Sequence, residues 1–401
     1  MLPGGPRPDS GGWALSKGPA SPRPDVILLA GTRPEVIKLA PVLWSLRRLS
    51  RSVRASFVLT GQHHDLVAPL LGPLGITPEA DLGVMTEGQR PTEVLSAILA
   101  GLAPLLRSRR PSLLVVQGDT TSAFAGAVAG YYERIPVAHV EAGLRSGNDD
   151  HPFPEEMQRS LITRLATIHF APTAGNAERL VAEGVPREAV LVTGNPVVSA
   201  LDAVLERFPP SPAVQDLVAE AEGRKLLLVT THRRESFGRV MRERLACLRE
   251  FVDRHPDVVL ILPVHPNPEV RRAVREALAG APRCRTIDPV PYPDFLHLAR
   301  HAWLIVSDSG GIQEEAPSLG VPLLVIREHT ERPEAVSSGH ARLIGGGTEP
   351  LRRALESAHA EGWRPEPAPG ANPFGRPDSA EAIARAIVRF LETGTLGEAG
   401  R

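Results

Sequence analysis

Ser307-Asp308-Ser309-Gly310-Gly311-Ile312-Gln313-Glu314-Glu315-Ala316-Pro317 reads as the end of a buried strand, a turn of small residues and the start of a helix. The apolar run Trp303 to Val306 leads into it. Ser309, Gly310 and Gly311 have little or no side chain to keep a diphosphate away from backbone N–H groups, and the helix that begins there adds its positive end. Glu314 and Glu315 on its first turns repel phosphate, so at least one is expected on a neutral hydroxyl pair such as a ribose. The ligand class implied is a nucleoside diphosphate. On this stretch alone a plainer account stays open, in which Ser-Gly-Gly only turns the chain and both acids favour the helix dipole.

Outward from that turn, short β-branched runs alternate with segments of helical period. Asp25–Ala30, Ser56–Thr60, Leu113–Gln117, Val137–Val140 and Ala189–Thr193 read as buried parallel strands, with amphipathic segments such as Val36–Leu49 and Thr121–Tyr132 between them. The alternation resumes in Leu226–Thr230, Val258–Val264, Trp303–Ser307 and Pro322–Ile326. The expected fold is therefore α/β, with two Rossmann-like doubly wound units. Arg207-Phe208-Pro209-Pro210-Ser211-Pro212 cannot continue a helix and punctuates the halves near residue 195. The expected units are a disordered tail at 1–24, a first domain at 25–195, a second at 196–377 and a terminal helix at 378–395. Ser379 is the N-cap expected for that last helix.

The chain has 401 residues, 42% apolar and 23% charged, with a formal net charge of −1. Two domains suit that length, and no global basic field exists for nucleic acid, so an anion must be held locally. Cys247 and Cys284 lie in no metal or redox spacing. No apolar run approaches a membrane span, and the Gly-, Pro- and Ser-rich start lacks a signal-peptide core, so a cytoplasmic protein is expected.

Other clusters fall where the strands end. Gly31-Thr32-Arg33-Pro34-Glu35 follows the first strand, with Pro34 in first-turn position and Lys38 one turn on. Arg33 and Lys38 face an anion or are solvated helix-end charges. Asp119, in Gln117-Gly118-Asp119-Thr120-Thr121, and Glu141, in His139-Val140-Glu141-Ala142-Gly143-Leu144-Arg145, reach the carboxyl edge of one sheet, where open α/β folds place ligands. Pro152-Phe153-Pro154-Glu155-Glu156 adds carboxylates at a helix start. Singly, Asp119 suits an N-cap and Glu155 a dipole partner. Together, converging acids repel, one pKa rises, and a proton-transfer group near neutral pH results. His232, in Thr231-His232-Arg233-Arg234-Glu235, resists a further positive charge unless an anion is bound, and then becomes an acid or donor to a departing phosphate. His265-Pro266-Asn267 and Arg327 with Thr330-Glu331-Arg332-Pro333-Glu334 follow later strands, as ligand clamps or as loop structure.

In order and content these motifs resemble the non-hydrolysing UDP-N-acetylglucosamine 2-epimerases, from Gly31 to about Phe374. The resemblance implies a glycosyltransferase-B-like architecture with its active site in the interdomain cleft, and the final helix returning to the first domain. It implies reversible conversion of UDP-N-acetylglucosamine to UDP-N-acetylmannosamine through 2-acetamidoglucal, with no cofactor, no nicotinamide and no obligatory metal. By position, Asp119, Glu141, Glu155 and His232 match the catalytic group. Arg33, Lys38, Arg145, His265, Ser309, Gly310, Gly311, Glu315 and Arg332 match substrate-binding positions. A regulatory second-substrate site would draw on Gln62, His64, Asp65 and Arg233; the family commonly has Arg at His64 and a longer side chain at Asp65, so weaker regulation is expected. Gln158 and Ser236 stand where the family usually has Asn. A homodimer with no nucleic-acid or membrane partner is implied. Alternatives are a hydrolysing relative, an epimerase of a diacetamido-uronic acid nucleotide, a retaining glycosyltransferase and a sensor that binds nucleotide sugar without turnover.

Overall fold

A strand such as Asp25-Val-Ile-Leu-Leu-Ala30, with five successive covered residues and no polar alternation, needs helices on both faces of its sheet. The computed structural model, which describes residues 23–86, 88–148, 150, 152–231, 238–265, 267–365 and 372–396, supplies them twice over. The first sheet comprises β1 (Asp25–Ala30), β2 (Arg54–Leu59), β3 (Ala80–Asp81), β4 (Leu113–Gln117), β5 (Val137–Val140), β6 (Ile168–Ala171) and β7 (Val190–Val192). The second comprises β8 (Lys225–Thr230), β9 (Val258–Pro263), β10 (Cys284–Ile287), β11 (Leu304–Ser307), β12 (Leu323–Val325) and β13 (Ala341–Leu343). Every pairing between these strands is parallel, in the orders β3-β2-β1-β4-β5-β6-β7 and β10-β9-β8-β11-β12-β13.

Both orders reverse beside their first strand, at β1/β4 and at β8/β11. The loops leaving the two strands of each pair diverge to opposite faces, so each sheet has a crevice at its carboxyl edge there. Gly31 to Arg33 and Gly118 to Asp119 border the first crevice. Thr231 and Asp308 to Gly311 border the second. The doubly wound α/β reading holds for both halves.

Local sequence explains how the flanking helices start. Thr32 and Glu35 form a capping box at the helix Arg33–Arg48, with Pro34 in its first turn. Thr120, not Asp119, caps the helix Thr121–Tyr132, its hydroxyl accepting from the Ala123 N–H at 3.0 Å. That removes the N-cap reading of Asp119 and leaves its carboxylate for other work. At the final helix, Ser379–Thr393, the cap is Asp378 rather than Ser379. Ser379 is fully buried and donates to the Arg376 carbonyl at 2.6 Å, so its hydroxyl closes a turn instead of capping.

That last helix packs back on the first sheet's helical layer, where Ile383, Ala384 and Ile387 share a core with Leu39, Leu43 and Leu201. The approach segment is tied in before it, since the Asn195 N–H donates to the Phe374 carbonyl at 2.6 Å. Both cysteines are buried and free. Among the described residues no helix is long and apolar enough to cross a membrane.

Candidate active site

Glu141 follows β5 directly and holds a left-handed backbone, φ 67°, a region that costs a residue with a Cβ roughly 1–3 kcal/mol. Its side chain is held tightly enough to keep it there. One carboxylate oxygen accepts from Lys38 Nζ, from Gln117 Nε2 at 3.0 Å and from Asn195 Nδ2 at 2.9 Å. The other lies 3.7 Å from the Arg332 guanidinium.

Lys38 also reaches Glu314 in the second half, at 2.7 Å, and Arg332 pairs with Glu314 at 2.6 Å. Two cations and two carboxylates thus form one buried cluster where the carboxyl ends of the two sheets meet. Lys38 is 5% exposed, so it is no solvated helix-end charge. Burial and the neighbouring Glu314 charge push the Glu141 carboxyl above its ordinary range, against the pull of Lys38 and Arg332. Burial pushes Glu314 up as well, but Arg332 and Lys38 outweigh it and hold that carboxyl below the usual range. Two acids driven apart in this way can serve as a proton-transfer group and a standing anion.

Asp119 lies just beyond β4 and accepts from Arg159, through Nε at 3.1 Å and through a terminal nitrogen. Arg159 pairs also with Glu156 at 2.8 Å. Glu155 opens the same helix, Glu155–Leu165, one turn before Arg159, and so sits on the face that meets Asp119. The loop before this helix is fixed by Glu156, which accepts from the Ser146 N–H at 2.9 Å.

On the second sheet, Ser309 caps the helix Gly310–Leu319, and its N–H donates to Ser307 Oγ at 2.9 Å. A Cβ added at Gly310 would lie 2.8 Å from the Arg332 guanidinium, whereas at Gly311 the nearest atom would be 3.8 Å away. Gly310 is therefore small partly because Arg332 packs across it. Glu315 is buried and accepts from the Tyr292 hydroxyl at 2.9 Å. Burial raises the Glu315 pKa, with that hydrogen bond opposing it. Arg33 is exposed at the first crevice, and its charge is felt at Glu315 and Tyr292.

Other expected residues are placed elsewhere. Arg145 turns to Glu183, with contacts of 2.8 and 2.6 Å, and to Thr163 at 3.0 Å, clasping a neighbouring helix. His265 Nδ1 accepts from the Asn267 N–H at 3.2 Å, a turn-forming contact. Gln62 accepts from Ser122 Oγ at 2.7 Å, while His64, whose side chain is 60% exposed, lies 3.1 Å from Asp81 and Asp65 is exposed. His232 and Arg233 lie outside the described residues. A cavity of about 550 Å³ opens between the helix Pro212–Glu220 and His297 and His301, and none of the expected site residues lines it.

Sequence reasoning missed Gln117, Arg159 and Asn195, and it weighed Glu314 as a ribose partner rather than as the ion-pair partner of Lys38 and Arg332. Asn195 had a signal, standing before Pro196 as an N-cap whose side-chain oxygen accepts from the Val197 N–H at 3.0 Å. Its second role, donating to Glu141, had none. Glu35 was also passed over. It is fully buried and accepts from the Gly31 and Thr32 N–H groups and from the Thr32 and Thr120 hydroxyls, at 2.7 to 3.0 Å.

Comparison with known proteins agrees with this geometry. The family model described as UDP-N-acetylglucosamine 2-epimerase matches residues 47–388. A UDP-N-acetylglucosamine 2-epimerase of Salmonella typhimurium is 41% identical over 371 residues, covering 91% of this chain and 98% of that protein. One from Yersinia pestis is 40% identical over 373 residues, covering 90% and 98%. The crystal structure of the Neisseria meningitidis UDP-GlcNAc 2-epimerase bound to UDP-GlcNAc superposes with a TM-score of 0.84 at 35% identity, over 91% of this chain and all of that one. Such structures have the glycosyltransferase-B-like fold, and the two parallel sheets here share it. With acids and cations converging where those sheets meet, this chain is an isomerase that belongs to the UDP-N-acetylglucosamine 2-epimerase family.

Proposed function

We propose that the chain interconverts UDP-N-acetylglucosamine and UDP-N-acetylmannosamine by eliminating UDP to 2-acetamidoglucal and adding it back on the other face. The observation that carries this is the Glu141 carboxyl, pushed up by burial and set between Lys38, Arg332 and Glu314 at the meeting of the two carboxyl edges. No carbonyl adjoins carbon 2 of the sugar ring, so its hydrogen is barely acidic and direct inversion between two bases is unfavourable. Elimination avoids a free carbanion: the C2–H bond breaks toward a carboxylate as the C1–O bond breaks and its electrons leave with UDP. Re-addition forms C1–O again while a proton is delivered to carbon 2 from the opposite side.

In this reading Asp119, Glu141 and Glu155 exchange the proton, and the N–H groups of Gly310 and Gly311, with Arg33, receive the leaving diphosphate where charge develops. Lys38 and Arg332 hold the acids and add positive potential. Glu315 takes the ribose hydroxyls, and His232 donates to the departing phosphate. Residues 25–195 and 196–377 act as two lobes whose closure keeps water from the glycal. His64 and Asp65 weaken a second-substrate site, and the assembly is a homodimer.

The test is product identity. Purified protein given UDP-N-acetylglucosamine should form UDP-N-acetylmannosamine and reach the same mixture from either side. Free N-acetylmannosamine as the main early product would place the chain on a hydrolysing route instead.

A further inference from the structure

At the amino edge of the second sheet, away from the cleft, two histidines and a carboxylate converge. His255 ends the helix Arg239–Arg254, Asp257 immediately precedes β9, and His359 lies on the helix Thr348–Glu361 one turn after Glu356. His359 Nε2 is 3.0 and 3.2 Å from the two Asp257 oxygens, and His255 Nε2 is 2.9 Å from Glu356. One ligand atom from each of His255, Asp257 and His359 lies within 4.8 Å of the others. The two imidazole centroids lie 4.2 Å apart with the rings tilted by 41°, and Phe251 and Trp303 close around them.

We propose that His255, Asp257 and His359, with Glu356 alongside, bind one transition-metal dication, zinc being the best match. Hydrogen bonding alone would need each imidazole to meet only its own carboxylate, and would not require ligand atoms of both to converge with Asp257 within 4.8 Å. Two imidazoles with carboxylates are a borderline donor set of the kind zinc takes. A tetrahedral zinc places its ligand atoms about 3.3 Å apart, so side-chain rotations suffice to gather these three. The aromatic walls supply a dry flank that strengthens coordination.

Two rival cations set the affinity. Lys225 lies 3.1 Å from Asp257 and Arg254 lies 2.7 Å from Glu356, and both must swing toward solvent when a dication enters. Micromolar rather than nanomolar binding is expected. The site plays no part in the reaction, because it lies at the opposite end of six-residue strands, roughly 20 Å from the carboxyl edge. Its effect is to pin the helix Thr348–Glu361 to the turn before β9.

Chelator-stripped, untagged full-length protein should take up one zinc per chain in equilibrium dialysis. Its melting midpoint should rise by roughly 3 °C at about a hundredfold excess of zinc over its dissociation constant. Cobalt(II) should give the visible bands of a tetrahedral site. His255→Gln and His359→Gln should each weaken zinc binding ~10-fold or more and abolish the cobalt bands. Both should keep the wild-type epimerase rate, which also reports that they fold. Lys225→Met should tighten binding. Absence of saturable zinc uptake by the wild-type protein, or equal uptake by the His255→Gln/His359→Gln double variant, would overturn the site.

Discussion

Glu141 and Asp119 show how one functional group, the carboxyl, is set differently by its surroundings. Glu141 is buried with its pKa raised, while Asp119 is partly exposed and bound to Arg159. Glu141→Gln and Asp119→Asn should each lower turnover by ~10²-fold or more while UDP binding changes little, as for groups that act only in the transition state. Near-normal turnover in both would return these acids to structural roles. Glu35 makes a separate prediction about stability. Burial raises its pKa to about 7 despite four hydrogen bonds that pull it down. The folded state then holds a proton that the unfolded chain releases near the ordinary Glu pKa, so stability falls as pH rises from about 4.5 to about 7 and is level above. The size is about 3 kcal/mol, and Glu35→Gln should flatten that part of the profile in urea titrations at several pH values. An unaltered slope would show that Glu35 is already ionised when folded. Residue identities at this scale were legible as acids and bases at strand ends, but their pairings were not. Lys38 and Glu141 stand 103 positions apart, and only the folded sheet brings them together. Arg145 looked like a ligand group from its motif, yet its guanidinium is taken by Glu183.

At the scale of elements, most strands that announced themselves are covered, but Ala189–Thr193, read as buried, is the open edge strand β7, with Val192 exposed. Asp25–Ala30, Leu113–Gln117 and Val137–Val140 are continuous apolar or β-branched runs, and the structure places strands with those bounds. Most unannounced strands lack that signature. β10 and β13 are edge strands, half open to solvent, with Arg285 and Arg342 breaking any run, and β3 has two residues; β6, covered like β5 and with one histidine like it, was legible and was passed over. The Ser-Gly-Gly turn was legible as a strand-to-helix junction because glycine there has both a steric and an electrostatic meaning. Its neighbour Arg332 gives the two glycines different tolerances. Gly310→Ala should drive the guanidinium off Glu314 and weaken UDP binding ~10-fold, the scale of one charge-assisted hydrogen bond, while Gly311→Ala should stay within ~2-fold. Equal losses in calorimetric titration would mean that backbone approach by the ligand, not Arg332, keeps the position small.

Across the whole molecule, the Lys38 to Glu314 pair joins the two sheets through a buried contact. Lys38→Met leaves two buried carboxylates with Arg332 as the remaining cation of the cluster and should destabilise the fold by ~3–5 kcal/mol, with Lys38→Met/Glu314→Gln costing clearly less than the two single changes added. Additive losses in denaturant titrations would show that the two groups act independently. Because the pair spans the halves, the single variant should also show a larger radius of gyration in solution scattering, which UDP reduces. The two-unit architecture was legible from the repeated alternation of strands and helices, whereas the charge cluster that unites the units depends on how they face each other, which no local pattern encodes. The central claim is that those facing acids move a proton at carbon 2 while UDP departs. Proton NMR of the purified protein with UDP-N-acetylglucosamine in heavy water tests it most directly. Deuterium should appear at carbon 2 of both epimers as the mixture forms, whereas turnover with full retention of the original hydrogen would contradict elimination and re-addition through solvent-exchanging carboxylates.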